Sequence, residues 1–230
     1  MYWSDKKTSK PYQVPDDIVD LVFRINCKCL PLEHARSLSM AIHRALPWIA
    51  EEEMAGIHLL HGAESGNGWQ RPEDPRNELL YLSRRTRLTL RLPSERLGEA
   101  SELKGAVLDI DGHTIEVGIS SVKPLSTQST LFSRYVVSME TETEEEFLGR
   151  VYAELHKLDV EPSKLLCGKT HTLQGHHGDI HTRSMMLAEL KPEESVKVQQ
   201  HGLGEGRKLG CGLFIPHKGI APVMEAEEDY

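Results

Sequence analysis

At 230 residues, with 39% hydrophobic and 27% charged content, the chain has the composition of a globular protein, large enough for one big domain or two small ones. A formal charge of −8 argues against a generally basic nucleic-acid binder, and no apolar run is long enough to span a bilayer. Four cysteines (Cys27, Cys29, Cys167, Cys211) are too sparse for a disulfide scaffold, and the N-terminus lacks a signal-peptide core, so a cytoplasmic protein is expected.

Residues 1–14 are polar and expected to be loosely ordered. From Asp17 to Leu30 apolar and polar residues partly alternate, which predicts a first strand ended by Pro31. Leu32 to Trp48 carries Leu38, Ala41, Ile42, Ala45 and Leu46 at helical spacing. A short strand, Gly56 to Leu60, precedes a polar loop, His61 to Asn77, that holds Trp69. Leu79 to Leu92 predicts a third strand, with Arg85, Arg87, Thr89 and Arg91 on one face and Leu88, Leu90 and Leu92 on the other. Pro93-Ser94 opens a helix through Leu103, and Val107 to Val117 is a strand broken by an Asp111-Gly112 turn.

The same order then repeats. Leu131 to Met139 predicts a strand, and Glu144 to Leu158 a helix with Phe147, Val151, Leu155 and Leu158 on one face. Lys164 to Leu173 and Thr182 to Leu190 pair as a hairpin around Gly175-His176-His177-Gly178. Pro192 to Gln200 is a second helix, followed by a glycine-rich loop and a last strand. Strand-helix-strand-strand-helix-strand, twice over, is an α+β chain of two tandem ferredoxin-like (RRM-like) domains. The expected limits are a flexible stretch 1–14, an N-terminal domain 15–120, a C-terminal domain 121–222 and an acidic tail 223–230, with a proline joint at Lys123-Pro124.

Charge is unevenly spread along this frame. Glu140, Glu142 and Glu144 to Glu146 form one acidic run, and Glu225, Glu227, Glu228 and Asp229 another. Arg84, Arg85, Arg87 and Arg91 cluster elsewhere, as do Lys164, Lys169, Arg183, Arg207, Lys208 and Lys218, so an acidic body is compatible with a basic face.

The glycine-rich loop runs from Gly202 to Gly212, with Gly202, Gly204, Gly206, Gly210 and Gly212 flanking Arg207 and Lys208. Such turns expose backbone N–H groups that cradle anions, and the two cations suit phosphate. It is neither a Walker loop, which ends in Gly-Lys-Ser/Thr, nor a dinucleotide fingerprint, which runs strand to helix. Gly202-Leu203-Gly204, five residues, then Gly210-Cys211-Gly212 resembles the glycine-rich signature of the RAMP superfamily of CRISPR-associated proteins. Leu30-Pro31-Leu32-Glu33-His34-Ala35, His61-Gly62-Ala63-Glu64-Ser65-Gly66-Asn67-Gly68-Trp69 and Gly210 to Gly219 resemble its precursor-crRNA endoribonuclease branch, the Cas six family, in its myxobacterial-type form.

That resemblance implies binding of a CRISPR repeat hairpin, cleavage of precursor RNA and retention in an effector complex. It competes with two other readings, a non-catalytic RAMP subunit that only binds guide RNA and a ferredoxin-like protein for small phosphorylated ligands. The twelve histidines match no metal-ligand spacing, so neither metal nor cofactor is expected. Metal-free RNA cleavage needs only a base for the 2′-hydroxyl, an acid for the leaving 5′-oxygen and a charge to hold the phosphorane. The products are a 2′,3′-cyclic phosphate and a 5′-hydroxyl.

In the resembled family the base is a histidine in or near the first helix. His34 at its first turn is the first candidate and His61 the second, while His43, between Ile42 and Leu46, suits packing as well as catalysis. Tyr81 is a guess for an accompanying tyrosine. For RNA binding the expected residues are Arg84, Arg85, Arg87, Lys169, Arg183, Gly202, Gly204, Arg207, Lys208, Gly210 and Gly212, with His171 nearby. Trp69 suits stacking on an unpaired base and filling an apolar gap equally.

Overall fold

In the computed structural model, residues 12–62 and 78–217 are described, and all statements below concern these. Trp69 and the glycine-rich phrase after Gly62 lie outside them. The N-terminal unit contains β1 (Ile18–Asn26), β2 (Cys29–Pro31), α1 (Ala35–Ala45), β3 (Gly56–Ile57), β4 (Leu79–Tyr81), β5 (Arg87–Pro93), α2 (Leu97–Ser101), β6 (Val107–Ile110) and β7 (His113–Lys123). Its main sheet has the order β3-β5-β1-β7-β6 and is antiparallel throughout. The C-terminal unit contains β8 (Leu131–Val137), α3 (Glu144–Lys157), β9 (Lys164–Gln174), β10 (Asp179–Ala188), α4 (Pro192–His201) and β11 (Ile215–Pro216), with sheet order β11-β8-β10-β9. Each is a ferredoxin-like unit with its first strand central, and β6 extends the first sheet as a hairpin with β7.

Two long extended stretches of the sequence are each divided between two sheets. Asp17 to Leu30 gives β1 and then β2, and Leu79 to Leu92 gives β4 and then β5, with β2 and β4 paired in a small sheet of their own. The second break has a local cause. The Ser83 hydroxyl accepts the Arg85 N–H at 3.2 Å and the Ser83 carbonyl accepts the Thr86 N–H at 3.0 Å, which makes a turn where alternation predicts a ladder. The first helix also starts later and ends earlier than its pattern, because Pro47 disfavours helix at Leu46 and opens a 3-10 turn, Pro47–Ala50.

Helix α1 buries Leu38, Ala41 and Ile42 at i, i+3, i+4 against the first sheet, with Leu21, Phe23, Leu88, Leu90 and Leu92 beneath. The acidic run Glu144 to Glu146 opens α3, where Thr143 and Glu146 form a reciprocal capping box and the acids face the helix's positive end. Phe147, Val151 and Leu155 then bury against Leu131, Met185 and Leu187.

The units are joined through shared interior. Tyr135, Leu173 and Cys211 of the second unit are buried in the core of the first. Arg91, expected beside Arg85 and Arg87 on an outer face, is fully buried instead. It pairs with its cross-strand neighbour Asp20 in bidentate fashion (2.8 and 3.0 Å), and its Nη1 donates to the carbonyls of Gln199 (3.0 Å) and Phe214 (2.9 Å) in the second unit. Burial alone raises the Asp20 pKa, but the Arg91 guanidinium outweighs it and holds the carboxyl below its ordinary range.

The glycine-rich loop is tied by its amides to its own unit and meets the first unit at Gly210. Gly212 N–H donates to Tyr135 (2.6 Å), Leu203 N–H to Gly212 (3.2 Å), and Gly204 N–H to the Glu154 carboxylate (2.9 Å). Gly210 has φ +83°, and a Cβ there would meet the Leu59 side chain of the first unit at 2.5 Å. We therefore expect Gly210→Ala to destabilise the fold by about 1–3 kcal/mol, read as a lower urea midpoint at unchanged slope. An unchanged midpoint contradicts this close approach.

Candidate active site

Two sets of polar side chains lie where the units meet, near opposite ends of α1 and about 14 Å apart along its axis. At the N-terminal end a cleft of about 540 Å³ is lined by Leu32, Glu33, His34, His61, Arg134, Tyr135 and Leu173, among others. It brings together both histidines singled out in the sequence and adds Arg134 and Tyr135, which the sequence reading missed. Only an arginine and a tyrosine in the middle of a predicted strand, 131–139, hint at them.

His34 is 3% exposed and both its ring nitrogens are engaged. Nδ1 lies 3.0 and 3.1 Å from the carbonyls of Pro31 and Leu32, so it carries the proton, and Nε2 accepts the Leu60 N–H at 3.1 Å. Burial lowers its pKa to about 4, outweighing the two carbonyls that favour the cation. The lone pair a base needs is thus occupied, and the ring braces the backbone just before His61. His61 is half-buried, with its ring 6.3 Å from Tyr135, and is lowered to about 3 by burial, then by Arg134, His34 and His58. His58, 3.8 Å from Asp20, is lowered to about 4 by burial and Arg91 against the pull of Asp20.

These depressed values set a pH dependence. The folded state keeps His34 and His58 neutral to about pH 4, whereas the unfolded chain protonates them near 6.5. Their stabilisation is complete above 6.5 and is lost as pH falls from about 6.5 to about 4, at an order of about 3 kcal/mol per ring. Urea unfolding between pH 7 and pH 4.5 should show a falling free energy, and a flat profile contradicts the buried neutral rings.

At the other end of α1, His43 meets His176 of the β9–β10 turn, with ring centroids 6.5 Å apart. His43 is half-buried, and its Nε2 is itself buried, with no hydrogen-bond partner among the described residues. Its pKa is lowered by burial first, then by electrostatic interaction with Lys208 and His176. Lys208 spends one of its three donors on the Ala50 carbonyl (2.6 Å). Two imidazoles beside an ammonium supply a base, an acid and a positive charge, the three requirements of 2′-hydroxyl attack. His176 is exposed in its turn.

The remaining expected residues are dispersed. Arg84 and Arg85 are exposed in the turn between β4 and β5, and Arg87 donates to the carbonyls of Arg84 (2.9 Å) and Thr86 (2.8 Å). Lys169 is exposed on edge strand β9, whereas Arg183 donates to the Glu142 carbonyl (2.7 Å) and lies over the Phe147 ring. Arg207, expected to face phosphate, points inward and donates to the carbonyls of Met54 (2.9 Å), Gln200 (2.9 Å) and His201. Gly202, Gly204, Gly210 and Gly212 likewise spend their amides within the protein. Tyr81 is 72% exposed, far too open for the cleft. Among the described residues no three His, Cys, Asp or Glu converge as metal ligands, and no helix is long and apolar enough to cross a membrane.

A family model described as Cas6 Crispr matches residues 19–219. The chain belongs to the Cas6 family. It is 31% identical over 198 residues to the CRISPR-associated endonuclease Cas6 of Myxococcus xanthus, covering 86% of this chain and 81% of that one. Among solved structures it is similar to a CRISPR associated protein Cas6, with TM-score 0.58, 12% identity, and 87% and 100% of the two chains covered. A Cas6-related protein from Pyrococcus furiosus gives TM-score 0.58 at 14% identity, covering 86% and 98%. At such identities the structural likeness speaks to the Cas6 fold, two ferredoxin-like units in tandem.

Proposed function

We propose that this Cas6 protein is an endoribonuclease that binds CRISPR repeat RNA, cuts precursor crRNA without a metal and stays bound to its product within an effector complex. The observation that carries the reading is the His43–His176–Lys208 cluster at the seam. The endonuclease name of the Myxococcus xanthus relative supports it.

His43, neutral at pH 7, takes the proton of the 2′-hydroxyl next to the scissile phosphate. The 2′-oxygen attacks phosphorus, and the Lys208 ammonium offsets the phosphorane charge. The bond to the 5′-oxygen then breaks, and that oxygen receives a proton from His176, leaving a 2′,3′-cyclic phosphate and a 5′-hydroxyl. His34 holds the Leu60–His61 backbone. Arg84, Arg85 and Lys169, exposed on both units, meet the phosphates of the repeat.

A second reading places the base at His61, because His61 and Arg134 share the cleft at the N-terminal end of α1. Arg134 then takes the role of Lys208.

The test is end-group analysis of a labelled cognate repeat hairpin after incubation with the pure protein. Cyclic phosphate and 5′-hydroxyl ends support the nuclease. Tight repeat binding without cleavage favours a guide-RNA scaffold, and tight nucleotide binding with indifference to RNA favours a phospho-ligand protein.

A further inference from the structure

Beside the main cleft lies a second pocket of about 360 Å³, lined by His58, Leu59, His61, Phe132, Arg134, Tyr135, Gly210, Leu213 and Ile215. The two cavities share Leu59, His61, Arg134 and Tyr135, so they adjoin. This smaller pocket is partly open to solvent. Its character differs from that of the cleft, because Phe132, Leu213 and Ile215 give it an apolar wall.

Phe132 stands on β8, paired with Met186 of β10 on one side and Ile215 of β11 on the other. Its ring is half-buried, with the Arg134 guanidinium 5.8 Å from the ring centroid and the His217 ring 5.7 Å away. A partly open aromatic ring beside an arginine, on the first strand of an RRM-like sheet, is the arrangement on which single-stranded bases stack. Arg134 lies within electrostatic reach of His61, while at His58 the cations Arg91 and Arg207 are opposed by the Asp20 carboxylate, 3.8 Å away.

Resting on the nuclease reading above, we propose that this pocket receives one unpaired nucleobase of the RNA substrate, stacked on Phe132, with the adjoining phosphate at Arg134. Gly210 borders the pocket with its backbone packed directly against Leu59. His58 and His61 border the pocket as neutral rings and offer hydrogen bonds to a base edge. The site reads an extruded or single-stranded nucleotide and gives the protein a sequence or shape filter separate from the reacting phosphate.

The test is an abasic scan of the cognate repeat, one nucleotide at a time, with equilibrium binding measured for wild type, Phe132→Ala and Phe132→Leu. Phe132→Leu keeps an apolar filler but no π face, which guards against loss through misfolding. Removing one unpaired base should weaken wild-type binding roughly 5- to 150-fold. Both Phe132 variants should bind intact RNA more weakly by a similar factor and lose nothing further on that abasic RNA. Equal abasic penalties in wild type and variants at every position overturn the pocket assignment and leave the nuclease reading standing. No binding of any repeat RNA by the wild type overturns both.

Discussion

Alanine in place of His43 should slow single-turnover cleavage of the repeat by about 10²–10⁴-fold, the range for losing a general acid or base. The expectation follows from geometry before titration. His43 stands on α1 at the seam, its buried Nε2 is without a partner among the described residues, and His176 and Lys208 stand within its field. Repeat affinity should change little, because the role proposed for the imidazole is at the reacting hydroxyl and not at the stem. His176→Ala and Lys208→Met should each lower the rate further on the chemical step. The pH–rate profile separates them: loss of His43 removes the acidic limb, where a base with a lowered pKa becomes protonated. If His43→Ala cuts at the wild-type rate and His61→Ala does not, the base belongs in the main cleft.

The second large effect is on stability. Arg91→Met should cost about 3–5 kcal/mol, because it leaves Asp20 without its cation and two carbonyls, of Gln199 and Phe214, without their donor. Arg91 is fully buried and the Asp20 side chain is 19% exposed, so solvent offsets only part of the loss at Asp20 and none at the two carbonyls. The double change Asp20→Leu with Arg91→Met should recover part of the stability, since replacing both members of a buried pair by apolar groups removes the stranded charge. Chemical denaturation of the four proteins reads this as a coupling free energy. Simple additivity contradicts the pairing.

The tandem fold was legible because its signals are local. The apolar faces of the segments that form α1 and α3, the Asp111-Gly112 turn and the hairpin around Gly175-His176-His177-Gly178 depend only on neighbours in the chain. The breaks between β1 and β2 and between β4 and β5 were not legible, since alternation does not say which sheet a strand joins. Charge misled for the same reason. Arg91 carries the alternation of an outer face, but the second unit covers that face, and Arg207 resembles a phosphate ligand until α4 presents its terminal carbonyls. The site is harder still, because His43 and His176 are far apart in sequence and meet only across the seam. Periodicity places His43 on a helix and His176 in a turn without saying that they face each other.

The most direct test of a metal-free 2′-hydroxyl mechanism is cleavage of the cognate repeat in excess EDTA, with the natural RNA beside one carrying a single 2′-deoxy substitution at the scissile nucleotide. The account predicts that the natural RNA is cut at an undiminished rate and that the deoxy RNA is bound but left intact. Loss of cleavage in EDTA, or cutting of the deoxy RNA at the same position, contradicts it.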